Sequence, residues 1–530
     1  MLKLPRILLA TLVAVLFEAA VFAQAPTIGA NGIMNGASLT ASLSPGTFAS
    51  IYGQNLSTST IQALTTPWPT TLGGAQVSVG GKSAALSFAS PTQLNIQLPV
   101  DVAPGSAQVT VTVQGKGSAS ATVTLASYSP GIFTFTPTGS TQSLGEFLHV
   151  KDSSFVTAQS PAQPGETLVV QAAGLGPTSP SVATGAASPG TPSPATTTVQ
   201  PTVSVGCQQG TVIFSGLSPG IVSLYQVNFT LPASVPGGNL PVTLSIGGQT
   251  SNSVTLVVAG PAIPVVNAVV NGSFSSPDWV AAPGTIVTIF GCNYGSKDGL
   301  SLFPATSFQG ISATFNGVAG PLFDVAASGG QINVVVPTEL PESGTVPVQV
   351  KNSAGPSVSF SLKMSAATPG IFRVADPSKA SRKNGAVLFA NTAWLVMPSS
   401  MATARNLTGC AGLPVAATCG QPAGAGDYIQ IFVTGLGRAT PGGDPNGKVL
   451  PTGSVAPADA SVLYQTVQKP AVTVGGVVTP LLFSGIAPGY AGLYQVNVQV
   501  PAGVAPGDDV PIVVSMPNGA SDTVTIAVHP

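Results

Sequence analysis

Gln93-Leu94-Asn95-Ile96-Gln97-Leu98-Pro99 is the stretch that decides the fold. Its apolar residues fall at every second position, so Leu94, Ile96 and Leu98 share one face while Gln93 and Asn95 share the other. That is the period of a half-buried strand, not of a helix. The same Gln-x-Asn-x-x-x-Pro pattern returns from Gln226 through Asn228 to Pro232, from Gln331 through Asn333 to Pro337, and from Gln495 through Asn497 to Pro501. Proline lacks the N–H that would extend a ladder, so each copy ends its own strand. Four copies of one strand predict four related units.

Outward from these strands the chain repeats itself. Ile51-Tyr52-Gly53-Gln54-Asn55-Leu56 returns as Ile289-Phe290-Gly291-Cys292-Asn293-Tyr294, and Gln93-Leu94-Asn95 as Gln331-Ile332-Asn333, both 238 residues on. Gly174-Leu175-Gly176 returns as Gly435-Leu436-Gly437 after 261 residues, and Gln226 as Gln495 after 269. The growing offset places insertions between strands, where loops tolerate them. A Gly-led strand starting near Gly46, Gly165, Gly284 and Gly426 divides each half again. The units are expected at 24–136, 137–260, 261–374 and 375–530, after a leader at 1–23. The third repeats the first, and the fourth repeats the second with a Cys-bearing insertion.

Strands such as Val109, Val111 and Val113 alternate with polar residues, tight turns such as Gly80-Gly81 separate them, and recurrent proline forbids long helices. The expected fold class is all-β, a tandem array of four immunoglobulin-like β-sandwiches arranged as two copies of a two-domain unit. The Cys, Trp, Cys pattern of antibody domains is missing.

The first 23 residues read as a secretory leader. Lys3 and Arg6 precede the apolar run Ile7 to Phe17, and small residues up to Ala23 offer a cleavage site. Removing Lys3, Arg6 and Glu18 leaves 14 basic and 16 acidic residues, net −2. With 6% charged residues in the whole chain there is no basic field for nucleic acid, so none is expected as a partner. No later apolar run is long enough to span a bilayer. The expected location is secreted, cell-surface or periplasmic.

Pro283-Gly284-Thr285-Ile286-Val287-Thr288-Ile289-Phe290-Gly291-Cys292-Asn293-Tyr294 resembles the opening strand of IPT/TIG immunoglobulin-like domains. The longer order of Leu72-Gly73-Gly74, Gln93-Leu94-Asn95, Pro99, Pro130-Gly131-Ile132-Phe133 and Gly174-Leu175-Gly176 is similar to the C-terminal repeat of secreted acidobacterial (Solibacter) proteins, over nearly the whole mature chain. That resemblance implies an exported sandwich module without an established activity.

Candidate site residues are few. The amide pairs Gln93/Asn95, Gln226/Asn228, Gln331/Asn333 and Gln495/Asn497 stand about 7 Å apart along a strand and could grip an extended peptide or glycan. Because buried amides are usually satisfied internally, a bracing role is expected instead. Trp68, Trp279 and Trp394 are the candidate binding aromatics, each weighed against covering the end of a core. Cys410 and Cys419 are expected to form a disulfide in an oxidising compartment. Cys207 and Cys292 stand where sister units carry Gly476 and Gln54; they could pair only if the middle units fold together, so each is expected to be an unpaired buried thiol.

No catalytic residue, metal or cofactor is expected. Gly216-Leu217-Ser218-Pro219-Gly220 fits a nucleophile elbow, but its sister Gly485-Ile486-Ala487-Pro488-Gly489 has no serine, so it reads as a turn. Gly81-Lys82-Ser83 is a hairpin turn, not a phosphate loop. Asp508-Asp509 is a weak calcium candidate. The expected function is an exported, non-catalytic binding, adhesion or spacer protein presenting loops to an extracellular glycan, peptide or surface protein. The alternative is an envelope or matrix component that self-associates through strand edges. The weakest reading is a hydrolase using His149, Asp152 and an unidentified serine.

Overall fold

The computed structural model describes residues 24–274 and 279–530. The leader and its cleavage point therefore lie outside the described residues. The regular structure of the rest is almost wholly short, mostly antiparallel strands in tandem immunoglobulin-like packing. Four large apolar clusters run in chain order from Ile33 to Leu125, Ile132 to Val258, Val269 to Met364 and Ala367 to Val528. Alternation explains them, because inward Val, Leu and Ile of facing sheets interdigitate while the intervening polar residues face out.

The first and third clusters share one topology. In the first, Thr27–Asn35, Phe48–Gln54, Gln93–Gln97, Ala85–Ala89 and Ile61–Gln62 form one sheet, opposed by Gly117–Leu125, Gly105–Val113, Ala75–Val79 and Thr71–Leu72. In the third, Val265–Asn271, Ile286–Cys292, Gln331–Val335, Leu322–Ala326 and Gly299–Leu300 follow the same order. The second and fourth centre on Thr167–Ala173 beside Tyr225–Thr230 and on Tyr428–Thr434 beside Tyr494–Gln499. Ile132 and Ile371, which the sequence reading assigns to the first and third units, pack in the second and fourth clusters. The short strands that carry them pair with Thr167–Ala173 and Tyr428–Thr434.

Each Gln-x-Asn strand lies next to the Gly-led strand of its own core, with Ser50 opposite Asn95 and Thr288 opposite Asn333. On its other side a β-bulge recurs in all four cores, between Leu86 and Phe88, Val212 and Phe214, Leu322 and Asp324, and Leu481 and Phe483. In every case the residue just past the bulge faces the Asn. A bulge interrupts the ladder locally, and the amide pair sits beside it. The Gln side chain donates to the Asn Oδ1 at 2.8, 3.4, 3.3 and 2.8 Å in the four copies. Ser50 and Thr288 hydroxyls donate to the same oxygen in the first and third.

The fourth core carries what the periodicity does not announce, a helix from Ser399 to Ala404. Six residues are too few to display a 3.6-residue period, and Pro398 supplies its start. Met397, Met401 and Ala402 form a small apolar cluster of their own beside the strand that Cys419 begins. Among the described residues no helix is long and apolar enough to cross a membrane.

Candidate functional site

The second copy of the duplicated half provides an internal control for the first. Asn35 donates its side-chain N–H to the Ser129 carbonyl at 2.8 Å, and Asn271 does the same to Thr368. Further along, the Val100 N–H donates to Thr184 Oγ1 at 3.0 Å, and Thr338, its equivalent, donates to Thr452 Oγ1 at 2.8 Å. These bonds align Thr184-Gly185 with Thr452-Gly453, and so Ser181-Val182 with Val449-Leu450. Gly220 and Gly489 extend the correspondence by donating to the Ser188 and Ala456 carbonyls.

At this shared position the two junctions differ. Between the first and second cores lies a cavity of about 580 Å³, lined by Val100, Val102, Pro104, Tyr128, Val182 and Leu217, with Gln97, Asp101, Ser127, Thr178 and Ser181 among its polar groups. Between the third and fourth the space is divided into cavities of about 200 and 170 Å³, the first walled by Val449 and Leu450 and both by Arg438, which stands where Pro177 does. Leu450 is 7% exposed and belongs to the fourth core. Val182 lacks one of its carbons, Ser181 stands where Val449 does, and Pro177 stands where Arg438 does.

An aromatic residue also distinguishes the open cleft. Tyr128, where the second half has Ala367, packs against the second core. Its ring lies so close to Gly176 and Gly247 that a Cβ on either would come within 2.5 or 2.2 Å of it. Gly247 has φ +56, and its counterpart is Pro517. Tyrosine with glycine in one half and alanine with proline in the other are matched pairs. Behind the cleft, Tyr225 donates to the Gly176 carbonyl and Tyr494 to that of Gly437. Burial pushes both phenols up, so they remain donors.

The aromatic candidates stand apart from this cavity. Trp68 is half-buried, edge-on to Phe48 with ring centroids 6.2 Å apart, and its backbone N–H donates to the Gly185 carbonyl of the second core. Trp394 donates Nε1–H to the Pro414 carbonyl at 3.0 Å, pinning the loop that precedes Cys419. Trp279 keeps 48% of its surface exposed, edge-on to Phe360. Cys410 and Cys419 are bonded, with Cα atoms 5.3 Å apart.

Cys207 and Cys292 are bonded too, with Cα atoms 5.9 Å apart, which corrects the expectation of two free thiols. The turn between Val205 and Gln208 meets the end of strand Ile286–Cys292, so the bond joins the two halves. Asn267 adds a hydrogen bond to the Cys207 carbonyl at 2.7 Å. The signal in the sequence is that both cysteines appear where the sister units lack one.

The pairing of His149 with Asp152 is also corrected. Asp152 accepts from the Ser154 N–H and hydroxyl, which hold its carboxyl below the usual range. His149 is buried instead between Glu166 Oε1, 2.6 Å from Nδ1, and Ser160 Oγ, 3.2 Å from Nε2. Serine, imidazole and carboxylate in line resemble a catalytic triad. However, the residue after Ser160 is Pro161, which has no N–H to offer an oxyanion, and the Ser160 N–H is given to Thr157 Oγ1. Glu166 meanwhile accepts from the Gln163 N–H, as Asp427 does from Gly424. Phe389 holds the His149 position in the fourth core, opposite Ile429 as His149 is opposite Leu168. The arrangement ties a turn to a strand.

Asp508-Asp509 is no cation cage, since Asp509 is engaged by Arg382 and Lys379 at 2.7 and 2.9 Å. Among the described residues no three His, Cys, Asp or Glu side chains converge as metal ligands would.

Residues 37–127 match the IPT/TIG domain family. The match covers the first core and agrees with the resemblance read from the Gly-led strands. No curated protein matches the chain by sequence. Among solved structures, the chain is similar to the Bacteroides ovatus mixed-linkage glucan utilization locus protein SGBP-B in complex with a mixed-linkage heptasaccharide. Identity is 12%, over 89% of this chain and 94% of that one, with a TM-score of 0.17. A surface glycan-binding protein from Prevotella bryantii is 13% identical over 49% of this chain and 41% of its own, at 0.15. The Escherichia coli adhesin FdeC is 13% identical over 65% and 98%, also at 0.15. At these scores the likenesses carry no argument about ligand or about how the cores are arranged.

Proposed function

We propose that this chain is an exported, non-catalytic binding protein of four sandwiches, in which the cleft between the first and second receives an extracellular partner. The observation that supports it is the difference between the two junctions. One architecture, built twice in one chain, leaves cavities of about 200 and 170 Å³ in the second half and a cleft of about 580 Å³ in the first. That volume falls in the range of ligand pockets, about 300–1,000 Å³. Two disulfides suit an oxidising compartment and so an exported chain.

Binding to extracellular material is the test. The mature protein and a variant with Ser181→Val and Val182→Leu, which brings the second junction's aliphatic pair into the first, would be compared for retention on immobilised envelope and matrix fractions. Retention of the first and loss in the second supports the reading. Equal retention of both overturns it.

One observation favours a second reading, self-association. Leu64 and Leu302, at equivalent positions after the edge strands Ile61–Gln62 and Gly299–Leu300, are 94% and 90% exposed. Exposed apolar edges invite pairing between copies. Sedimentation at increasing concentration would reveal it, and replacement of both leucines by lysine would abolish it.

A further inference from the structure

The filled junction also indicates what the open one would accept. Where Thr452 is tied to Thr338, the preceding Val449 and Leu450 bring adjacent aliphatic side chains to the cavity between the cores. Where Thr184 is tied to Val100, the same two places hold Ser181 and Val182, and the cavity is larger. Among the atoms that the first junction lacks are the aliphatic ones of this pair, which arrive in the second on a loop of the chain itself, beside Arg438 where the first has Pro177. The cleft is continuous with the interface between the cores, since the Gly185 N–H donates to Gln97 Oε1 at 2.6 Å and Ser223 to the Gly46 carbonyl at 2.8 Å beside it.

The lining discriminates between ligand classes. Its walls are Val100, Val102, Pro104, Val182 and Leu217, with the Tyr128 ring. Of its polar groups, Gln97 Oε1 accepts from the Gly185 N–H and Asp101 Oδ2 meets Lys82 at 2.6 Å. Each sugar hydroxyl that lost water against the aliphatic walls without gaining a partner would be costly. Adjacent aliphatic side chains lose nothing of the kind and gain contact with the walls.

Resting on the binding role proposed above, we propose that the cleft between the first and second cores binds a peptide segment through adjacent aliphatic side chains, as Val449-Leu450 lines its counterpart. The probe is a fluorophore-labelled synthetic peptide with the sequence of this chain from Gly447 to Gly453, titrated into the full mature protein and followed by anisotropy. Saturable binding is expected, weakened at least tenfold in the Ser181→Val, Val182→Leu variant, and weakened as much when the peptide's leucine is replaced by serine. The variant's melting temperature and the chromatographic volume of each protein are measured alongside. If the variant unfolds, Val100→Phe replaces it as a second way to obstruct the cleft. Neutral oligosaccharides form the other arm. An oligosaccharide that binds and is lost in the filled variant, with no peptide binding, overturns the peptide assignment and leaves the cleft's binding role standing. Peptide binding unaffected by filling or obstructing the cleft overturns the site. Absence of binding by either probe overturns this inference, whereas the binding role falls only if the envelope retention test also fails.

Discussion

Cys207, in a hairpin turn of the second core, is bonded to Cys292, at the end of a strand of the third, so the two halves of the duplicated chain are covalently joined. A link between residues 85 apart in sequence removes much freedom from the unfolded chain, about 2–4 kcal/mol for bonds of this kind. Peptide mapping without reductant is expected to find the Cys207 and Cys292 peptides joined. Serine at both positions is expected to lower the unfolding midpoint in urea, with Cys410–Cys419 still intact. Free thiol at both positions in the native protein would refute the pairing.

Asn35 and Asn271 close the two junctions with the same bond, from side chain to the Ser129 or Thr368 carbonyl. Each Oδ1 also accepts an N–H two residues on, from Ala37 or Ser273. Alanine at either site leaves buried groups without partners and is expected to cost about 1–3 kcal/mol. Because the sites lie in different halves and share no partner, the two losses are expected to add within a few tenths of a kcal/mol. Chemical denaturation of the two single variants and the double variant checks both statements.

Tyr128 depends on Gly247. A methyl group at that position meets the ring and must also occupy φ +56, so Gly247→Ala is expected to destabilise by roughly 1–3 kcal/mol. Adding Tyr128→Ala, the residue of the second half, is expected to return the part due to the collision but not the part due to backbone strain. Thermal melts of the single and double variants separate the two contributions. Equal losses in both would show that the ring and the glycine do not meet.

The sandwich fold was legible in sequence because its signals are local. Alternation at Leu94, Ile96 and Leu98 needs no partner to be read, and the duplication multiplied it. The bracing of Asn95 by Gln93 and Ser50 was partly legible, as a pair of amides on one strand face, but the bulge beside it depends on the neighbouring strand. What failed was non-local. Nothing near Cys207 announces that strand Ile286–Cys292 ends against it, and the equivalence of Val182 with Leu450 emerges only once Thr184 and Thr452 are seen to make the same bond across a loop of different length. The indole of Trp394 bonds the Pro414 carbonyl, a partner twenty residues on that no local pattern announces. The cleft is lined by small aliphatic residues that look in sequence like any core.

Acid is expected to weaken the fourth core through a buried cluster of charges. Asp376 meets Arg382 at 2.6 Å, and Arg382 also binds Asp509, which Lys379 contacts as well. Burial alone would raise the Asp376 carboxyl, but hydrogen bonds from Ser378 and Arg382 outweigh it and hold the group below its ordinary 3.8. Arg382, then Lys379, hold Asp509 down in the same direction. On acidification the unfolded chain therefore takes up protons before the folded one. The stabilisation is whole above the ordinary carboxylate range and is lost as the pH falls through the depressed folded values. Asp376 is the more enclosed of the two, and losing its charged partnership is expected to cost roughly 1.5–3 kcal/mol. Asp509 contributes less because water screens it. Melting temperature measured from pH 7 down to about 2.5 is expected to hold level and then drop below pH 4, and Asp376→Asn should start lower and fall less steeply. If that variant and the parent fall in parallel, the cluster does not govern the acid response.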